Sequence, residues 1–178
     1  MFFLEKIVIR TAKKEDIKKI MDIEHDSFSK NVFESESVIL NRLLVFPDGF
    51  LVLEYGNEIF GYISSELWEY SKKIDEKMFD LDHDITSLHK NSGNELYISS
   101  IGVLKKYRGK GYGKLLFLEL IEQITKKYLL KSMILTVSVN WAAAINLYEK
   151  NGFKEVFRIK EFFEDENNSD GIVMRKYL

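Results

Sequence analysis

The stretch from Leu96 to Lys114 constrains this chain more than any other: an apolar strand, a basic turn, glycines at alternate positions, then a helix. In Arg108-Gly109-Lys110-Gly111-Tyr112-Gly113 the backbone can approach a ligand closely, because glycine has no Cβ to obstruct it. The helix that opens near Gly113 aims unpaired N–H groups and the positive end of its dipole back into the loop. Such a corner attracts a phosphate or pyrophosphate. Arg108, Lys110 and Lys114 add charge of the right sign.

Two other glycine-rich motifs use the same physics and are excluded by spacing. A dinucleotide fingerprint places its last glycine one residue further on, with an acidic residue about 20 residues later at the next strand end. A Walker loop separates its glycines more widely and follows its lysine with Ser or Thr, whereas Leu115 follows Lys114 here.

With 178 residues, a single domain over 1–178 is expected, and 46% hydrophobic residues argue for a globular chain with a substantial core. The 26 basic and 28 acidic residues leave a net charge of -2, so no global field favours nucleic acid or an anionic membrane. The chain has no cysteine, which excludes disulfides, thiolate metal sites and a cysteine nucleophile. Acidic and basic residues at Glu5 and Lys6 interrupt the apolar start, and no later run is long enough to span a bilayer. The expectation is a cytoplasmic protein without a membrane partner.

In chain order, Lys6 to Arg10 reads as a strand, and Thr11 caps a helix running through Ser27. A second helix spans Glu34 to Leu44, with Val38, Ile39 and Leu43 inward. Phe50 to Tyr55 and Glu58 to Leu67 form a hairpin across Gly56-Asn57. From Trp68 to Asn94 the sequence turns polar and loses periodicity, as expected of a surface insertion that shapes an entrance. Glu95 to Val103 is the strand before the glycine loop. The helix from Gly113 to Tyr128 carries Leu115, Leu116, Leu120, Ile121 and Ile124. Met133 to Asn140 is a strand with one apolar and one mostly polar face. A helix follows over Ala142 to Lys150, ended by Asn151-Gly152. Phe153 to Arg158 and Gly171 to Tyr177 make a last strand pair across the acidic loop Glu164 to Asp170.

Several polar residues invite chemistry. Glu24 falls on the apolar stripe of the first helix with Ile17, Ile20, Met21 and Phe28, so it must find a partner, a cleft or solvent at the helix end. Solvent is the commoner outcome for such a residue. Asp80, Asp82 and Asp84 do not form a calcium loop, because Ile85 stands where glycine and Asn91 where glutamate is needed. His83 and His89 lack the company of a zinc site and read as surface histidines. No metal is expected.

Arg108-x-x-Gly111-x-Gly113 after Ile101-Gly102-Val103 resembles the coenzyme A pyrophosphate motif of the GNAT N-acetyltransferases. Asn140 followed by Ala143-Ala144-Ile145-Asn146-Leu147-Tyr148-Glu149-Lys150-Asn151-Gly152-Phe153 resembles the closing motif of the same family. Two motifs in order are far more specific than either alone. Within the family the chain looks closest to enzymes that acetylate protein N-termini, the ribosomal-protein alanine acetyltransferase branch and its eukaryotic relatives. Ile23-Glu24 and Phe28, Leu96-Tyr97-Ile98, Phe162-Phe163 and Ile172-Val173-Met174 carry that likeness.

The resemblance implies a mixed α/β GNAT fold: a mostly antiparallel central sheet of about six to seven strands with splayed central strands, flanked by helices. It implies acetyl-coenzyme A as cosubstrate, held by Ile101, Gly102, Val103, Arg108, Gly109, Lys110, Gly111, Tyr112, Gly113, Lys114 and Asn140. Backbone amides near Ile101 and Val103 would face the cofactor and a developing oxyanion. Tyr148 would give a proton to the departing thiolate; the plainer role for it is packing. Glu24, Phe28, Phe162 and Phe163 would line the acceptor slot.

Three departures from the family pattern bear on this. Phe162-Phe163 stand where relatives carry a Tyr-Tyr pair, Thr136 stands where many carry a Glu or His base, and the family asparagine falls at Trp141, one residue after Asn140. For the base, strand alternation puts Glu95, Tyr97 and Ser99 on one face, where they could order a water that relays the amine proton.

Three functions fit: acetylation of a protein N-terminal α-amine, acetylation of a small amine such as a polyamine or aminoglycoside, and a non-catalytic acyl-coenzyme A binding module. The acceptor's identity stays open, and the chain acts as a monomer or homodimer.

Overall fold

In the computed structural model, residues 6–164 and 167–178 are described. Residues 1–5, at the start of the chain, and residues 165–166 of the acidic loop lie outside them.

Seven strands form one sheet in the order β1 (Val8–Thr11), β2 (Phe50–Tyr55), β3 (Glu58–Trp68), β4 (Glu95–Val103), β5 (Ser132–Ser138), β7 (Ser169–Tyr177) and β6 (Lys154–Phe163). Every neighbouring pair is antiparallel except β4 and β5, which run parallel. A parallel pair needs a long crossover, and the chain between them supplies it with α4 (Tyr112–Lys127). The other helices are α1 (Ile17–Ser27), α2 (Glu36–Val45), α3 (Ile85–Leu88) and α5 (Ala142–Lys150). The mixed, mostly antiparallel sheet expected from the sequence is present.

The apolar periodicities explain which face each element covers. Leu116, Phe117, Leu120 and Ile124 of α4 are buried with Tyr148 of α5 against Leu51, Ile63, Leu96, Ile98, Met133 and Leu135. Leu115 is instead 44% exposed on the outer side of α4. Ile17, Ile20, Met21 and Ile23 of α1 pack with Ile39 and Leu43 of α2 on the opposite side, over Phe50, Val52 and Tyr62. The first helix starts later than Thr11 because Thr11 pairs with Leu51 in the sheet, and the Asp16 carboxylate accepts the Lys13 N–H before α1 begins. Ser35 caps α2, its Oγ accepting the Val38 N–H.

The segment between β3 and β4 is more than a surface insertion. Trp68 and Phe79 are buried with Tyr97, Ile134 and Val173, so this segment covers the half of the sheet that α1 and α2 leave open. Its polar residues lie on the outer side of that cover. His83 and His89 are interior residues, which corrects their surface assignment. The His83 Nε2 lies 2.6 Å from a Glu66 carboxylate oxygen, and the His89 Nδ1 accepts the Leu67 N–H at 3.1 Å. Among the described residues no cluster of His, Asp and Glu is arranged to hold a metal ion.

At the C-terminus the strand pair is longer than its alternation suggests. β6 runs on through Phe163, and Phe163 pairs with Ser169 after an irregularity between Ile159 and Phe163. Glu161 takes a positive φ of 50° within that irregularity. Both phenylalanines therefore sit on a strand at the cavity.

Candidate active site

Two local features of the central strands make the site. The ladder between β4 and β5 ends at Ile98 opposite Leu135. Beyond it, Ser100 to Val103 remain paired only with β3, and Thr136 to Ser138 only with β7, so the two strands splay apart. The second feature is a bulge. Ser64 opposes Ser100 and Ser65 opposes Ile98, which leaves Ser99 without a partner on β3. A bulge shifts the alternation of a strand by one residue. Leu96 and Ile98 point to the α4 side before it, and Ile101 and Val103 point there after it.

A cavity of 690 Å³ runs through the splay. At one end it is lined by Arg108, Gly109, Gly111, Tyr112, Gly113 and Lys114, in the middle by β4, Thr136, Asn140 and Tyr148, and at the other end by Glu24, Phe28, Tyr97, Phe162 and Phe163. The structure thus brings together nearly all the residues singled out in the sequence.

The glycine end is shaped for an anion. Gly109 and Gly111 have φ of +75° and +85°, and a Cβ built on either would meet no protein atom within 4 Å, so both border open space. Gly111 occupies the N-cap of α4, whose first N–H groups have no intrahelical acceptor. The turn before them is pinned: Arg108 Nε donates to the Val103 carbonyl at 2.8 Å, and the Tyr107 hydroxyl donates to Glu58 of β3 at 2.6 Å. Lys110 stays exposed, its ammonium 5.7 Å from the Tyr107 ring centroid. A pyrophosphate fits this corner by charge, backbone shape and free donors.

In the middle section Tyr148 is 5% exposed and packs at a tilt against Phe117 and Phe153. Burial pushes its hydroxyl up to about 12, so it keeps its proton throughout the neutral range. The Thr136 and Ser27 hydroxyls are buried at the cavity wall without a hydrogen-bond partner among the described residues. Buried hydroxyls are almost always paired, so both mark positions where polar atoms of a ligand would be satisfied. The polar face of β5 is therefore polar because it faces this cavity, while Ser138 is closed off by a hydrogen bond with Ser169.

The far end combines aromatic walls with buried charge. Phe28 and Trp141 lie 5.7 Å apart, and Trp141 and Phe163 lie 4.8 Å apart, ring to ring. Glu24 is 1% exposed, not the solvent-reaching boundary residue expected of a carboxylate there. One of its oxygens accepts the Glu34 N–H at 2.9 Å and the other accepts the Tyr62 hydroxyl. Burial raises its pKa above the ordinary glutamate range. Glu34 is likewise raised, to about 7, by burial that outweighs the pull of Arg42. The Arg42 guanidinium grips both Glu34 oxygens, donates to the Leu81 carbonyl at 3.2 Å and lies 3.7 Å from Glu66. Arg42 thereby ties α2 to the segment between β3 and β4.

Glu95 is placed elsewhere. It lies at the start of β4, takes a hydrogen bond from Ser132 at 2.6 Å, pairs with Arg175 of β7 at 2.8 Å, and does not line the cavity. Its carboxylate is consumed by β5 and β7, which corrects its place in a proton relay. Tyr97 does line the cavity, stacked on Trp68 at 4.0 Å, and burial raises its pKa far above the usual tyrosine value.

The sequence reading missed Tyr62, Ser100, Glu34 and Arg42. Arg42 carried a signal, since it falls between Ile39 and Leu43 on the buried stripe of α2.

The model of the acetyltransferase (GNAT) family matches residues 17–153. This chain belongs to the GNAT acetyltransferase family. Among curated proteins, this GNAT chain is 28% identical over 158 residues to the N-alpha-acetyltransferase of Sulfurisphaera tokodaii, covering 88% of this chain and 86% of that protein. It is 27% identical over 171 residues to the N-alpha-acetyltransferase of Saccharolobus solfataricus, covering 96% and 92%. Among solved structures, the loading GNATL domain of CurA from Lyngbya majuscula superposes with a TM-score of 0.81 at 15% identity, over 97% of this chain and 98% of that one. Arabidopsis thaliana Naa50 superposes with a TM-score of 0.74 at 20% identity, over 97% and 99%. The GNAT fold is thus shared over almost the whole chain, including the segment between β3 and β4.

Proposed function

We propose that this GNAT protein transfers acetyl from acetyl-coenzyme A to the α-amino group of a protein N-terminus. One observation carries the reading: a single cavity passes from the glycine corner at α4, through the β4–β5 splay, to an aromatic slot between α1 and β6. Its two ends offer the two chemistries the reaction needs, an anion cradle and a place for an amine carried on a chain. The N-alpha-acetyltransferase relatives, at 27–28% identity over most of both chains, support the same acceptor class.

The cosubstrate would lie along Ile101, Gly102 and Val103 with its pyrophosphate at Arg108 to Lys114 and Asn140 beside it; it supplies an acetyl group activated as a thioester. Beyond Ile98 the β4 backbone has no β5 partner and lines the cavity, and amides held there before any charge develops would stabilise an oxyanion. Tyr148, protonated until about pH 12, donates a hydrogen bond to the departing sulfur. A thiol has a pKa of about 8.5, so outright loss of the Tyr148 proton to a thiolate is uphill by roughly 5 kcal/mol. Tyr148 thus stabilises by donating, and solvent completes the protonation.

The preference for an α-amine follows from Thr136. A threonine hydroxyl is no base near neutrality, so the site suits a nucleophile that sheds its proton easily. At pH 7 an α-amine of pKa about 7.7–8.0 needs about 1 kcal/mol to become neutral, whereas a lysine of about 10.4 needs more than about 4. Phe162 and Phe163 give the first residues of a peptide an apolar wall, without hydroxyls to hold its backbone.

A second reading has one observation in its favour: Glu24 and Glu34 both line the cavity, and carboxylates there would suit a small polyamine. Release of free thiol from acetyl-coenzyme A, with a free-N-terminus peptide against spermidine, decides between the two. We also place the reaction in the cytoplasm, which the absence of cysteine suits; among the described residues no helix is long and apolar enough to cross a membrane.

A further inference from the structure

With Glu95 drawn off by Arg175 and Thr136 unable to act as a base, the proton of the acceptor ammonium needs another way out. We propose that Ser100, Tyr62 and Glu24 form a proton wire that leads from the cavity at the β4 bulge to a buried carboxylate on α1. This rests on the acetyltransferase reading above and names the group that serves it as base.

The geometry is continuous. Ser100 lines the cavity one residue beyond the bulge, and its Oγ lies 2.7 Å from the Tyr62 hydroxyl on β3. Tyr62, with no exposed surface, donates in turn to a Glu24 oxygen. The polarity of the chain is fixed at its inner end, since a carboxylate can only accept. Tyr62 therefore accepts from Ser100, and Ser100 keeps lone pairs free for an N–H in the cavity. In the transfer the acceptor N–H bond breaks and a Ser100 O–H forms, the old Ser100 proton passes to Tyr62, and the old Tyr62 proton becomes a Glu24 O–H. No other reactant is required. The same carboxyl returns the proton to solvent or to the product side when the wire runs back.

The surroundings tune Glu24 for this task. Facing it are His25 on α1, the Glu34 N–H and carboxylate ahead of α2, Arg42 from α2 and Tyr62 from β3. Burial lifts Glu24 above an ordinary glutamate while Tyr62, Glu34 N–H, Arg42 and His25 hold it back, so it is a stronger base than an exposed carboxylate. Tyr62 is pushed well above its usual value, chiefly by burial; it passes protons without ionising. Ser100 is the catalytic member, and Tyr62 and Glu24 act through it.

If the Glu24–Tyr62 contact merely ties α1 to β3, removing it lowers activity equally at every pH. The test is the pH profile of kcat/KM for a lysine-free peptide with a free N-terminus, in Ser100→Ala, Tyr62→Phe and Glu24→Gln, with acetyl-coenzyme A affinity and Tm measured alongside. We expect each variant to lose about a hundredfold at pH 7, with cosubstrate affinity within about twofold of the parent. The loss should shrink to a few-fold by about pH 9, where the α-amine is already neutral. A loss that is the same at pH 7 and pH 9, or no loss in Tyr62→Phe, overturns the wire. Should buried Glu24→Gln fail to fold, Ser100→Ala and Tyr62→Phe decide alone. If the parent protein acetylates no primary amine at any pH, the acetyltransferase reading itself falls, and the wire with it.

Discussion

Phe28 and Trp141 meet with ring centroids 5.7 Å apart, one closing α1 and the other preceding α5. Trp141 stands where the GNAT pattern has asparagine, and it also touches Phe163 at 4.8 Å. Its indole is one wall of the aromatic end of the cavity, which the proposed function assigns to the acceptor. Trp141→Ala removes aromatic contacts worth about 1 kcal/mol beyond area burial. We expect the KM for a peptide acceptor to rise about fivefold, with acetyl-coenzyme A binding by calorimetry unchanged. A weakened cosubstrate and an unaltered peptide KM would place Trp141 on the wrong end of the cavity.

Gly111 holds φ +85° at the α4 N-cap, a conformation that costs an L-residue about 1–2 kcal/mol and that a β-branched side chain tolerates least. Its missing Cβ also leaves the cradle open. Gly111→Val should therefore weaken acetyl-coenzyme A binding at least about tenfold, whereas Lys110→Ala, which removes one solvated charge, should cost about twofold. Equal effects in calorimetry would count against a backbone cradle.

Tyr148→Phe deletes a hydroxyl that stays protonated, and so a hydrogen-bond donor, up to about pH 12. Turnover should fall about tenfold to a thousandfold while cosubstrate affinity holds. Because the raised pKa keeps the tyrosine neutral, the parent's rate should show no alkaline decline from this group below about pH 11. Steady-state kinetics across pH checks both statements, and unchanged turnover removes Tyr148 from the mechanism.

Much of the architecture was legible because local signals dominate it. The alternate glycines after an apolar strand give the β4–α4 corner, Gly56-Asn57 gives the β2–β3 hairpin, and the 3.6-residue stripe gives α1. What was hidden depends on partners distant in sequence. Nothing near Glu95 announces Arg175, and nothing near Glu24 announces Tyr62, yet these pairings decide which carboxylate serves the cavity. The bulge at Ser99 is equally silent, since it exists only in the register between β3 and β4. The residues between β3 and β4 read as surface because their outer side is polar. Trp68, Phe79 and Ile85, which they bury, are too sparse to show a period.

Arg42 is 2% exposed and grips Glu34 while lying close to Glu66. Removing one member of a buried ion network leaves uncompensated charge and costs about 3–5 kcal/mol. Arg42→Met should lower Tm by about 10 °C, and adding Glu34→Leu should recover part of the loss. A single variant within a degree or two of the parent would mean that the network contributes little to holding α2 on the segment after β3.

Whether the acceptor is a protein N-terminus is decided by a competition assay. A peptide with a free N-terminus and no lysine, a matched peptide with a blocked N-terminus and one lysine, and spermidine are mixed at equal concentration near pH 7 with limiting acetyl-coenzyme A. Mass spectrometry then reads where the acetyl group goes. Acetylation confined almost wholly to the free N-terminus is the predicted result; acetyl found mainly on the lysine peptide or on spermidine would contradict it.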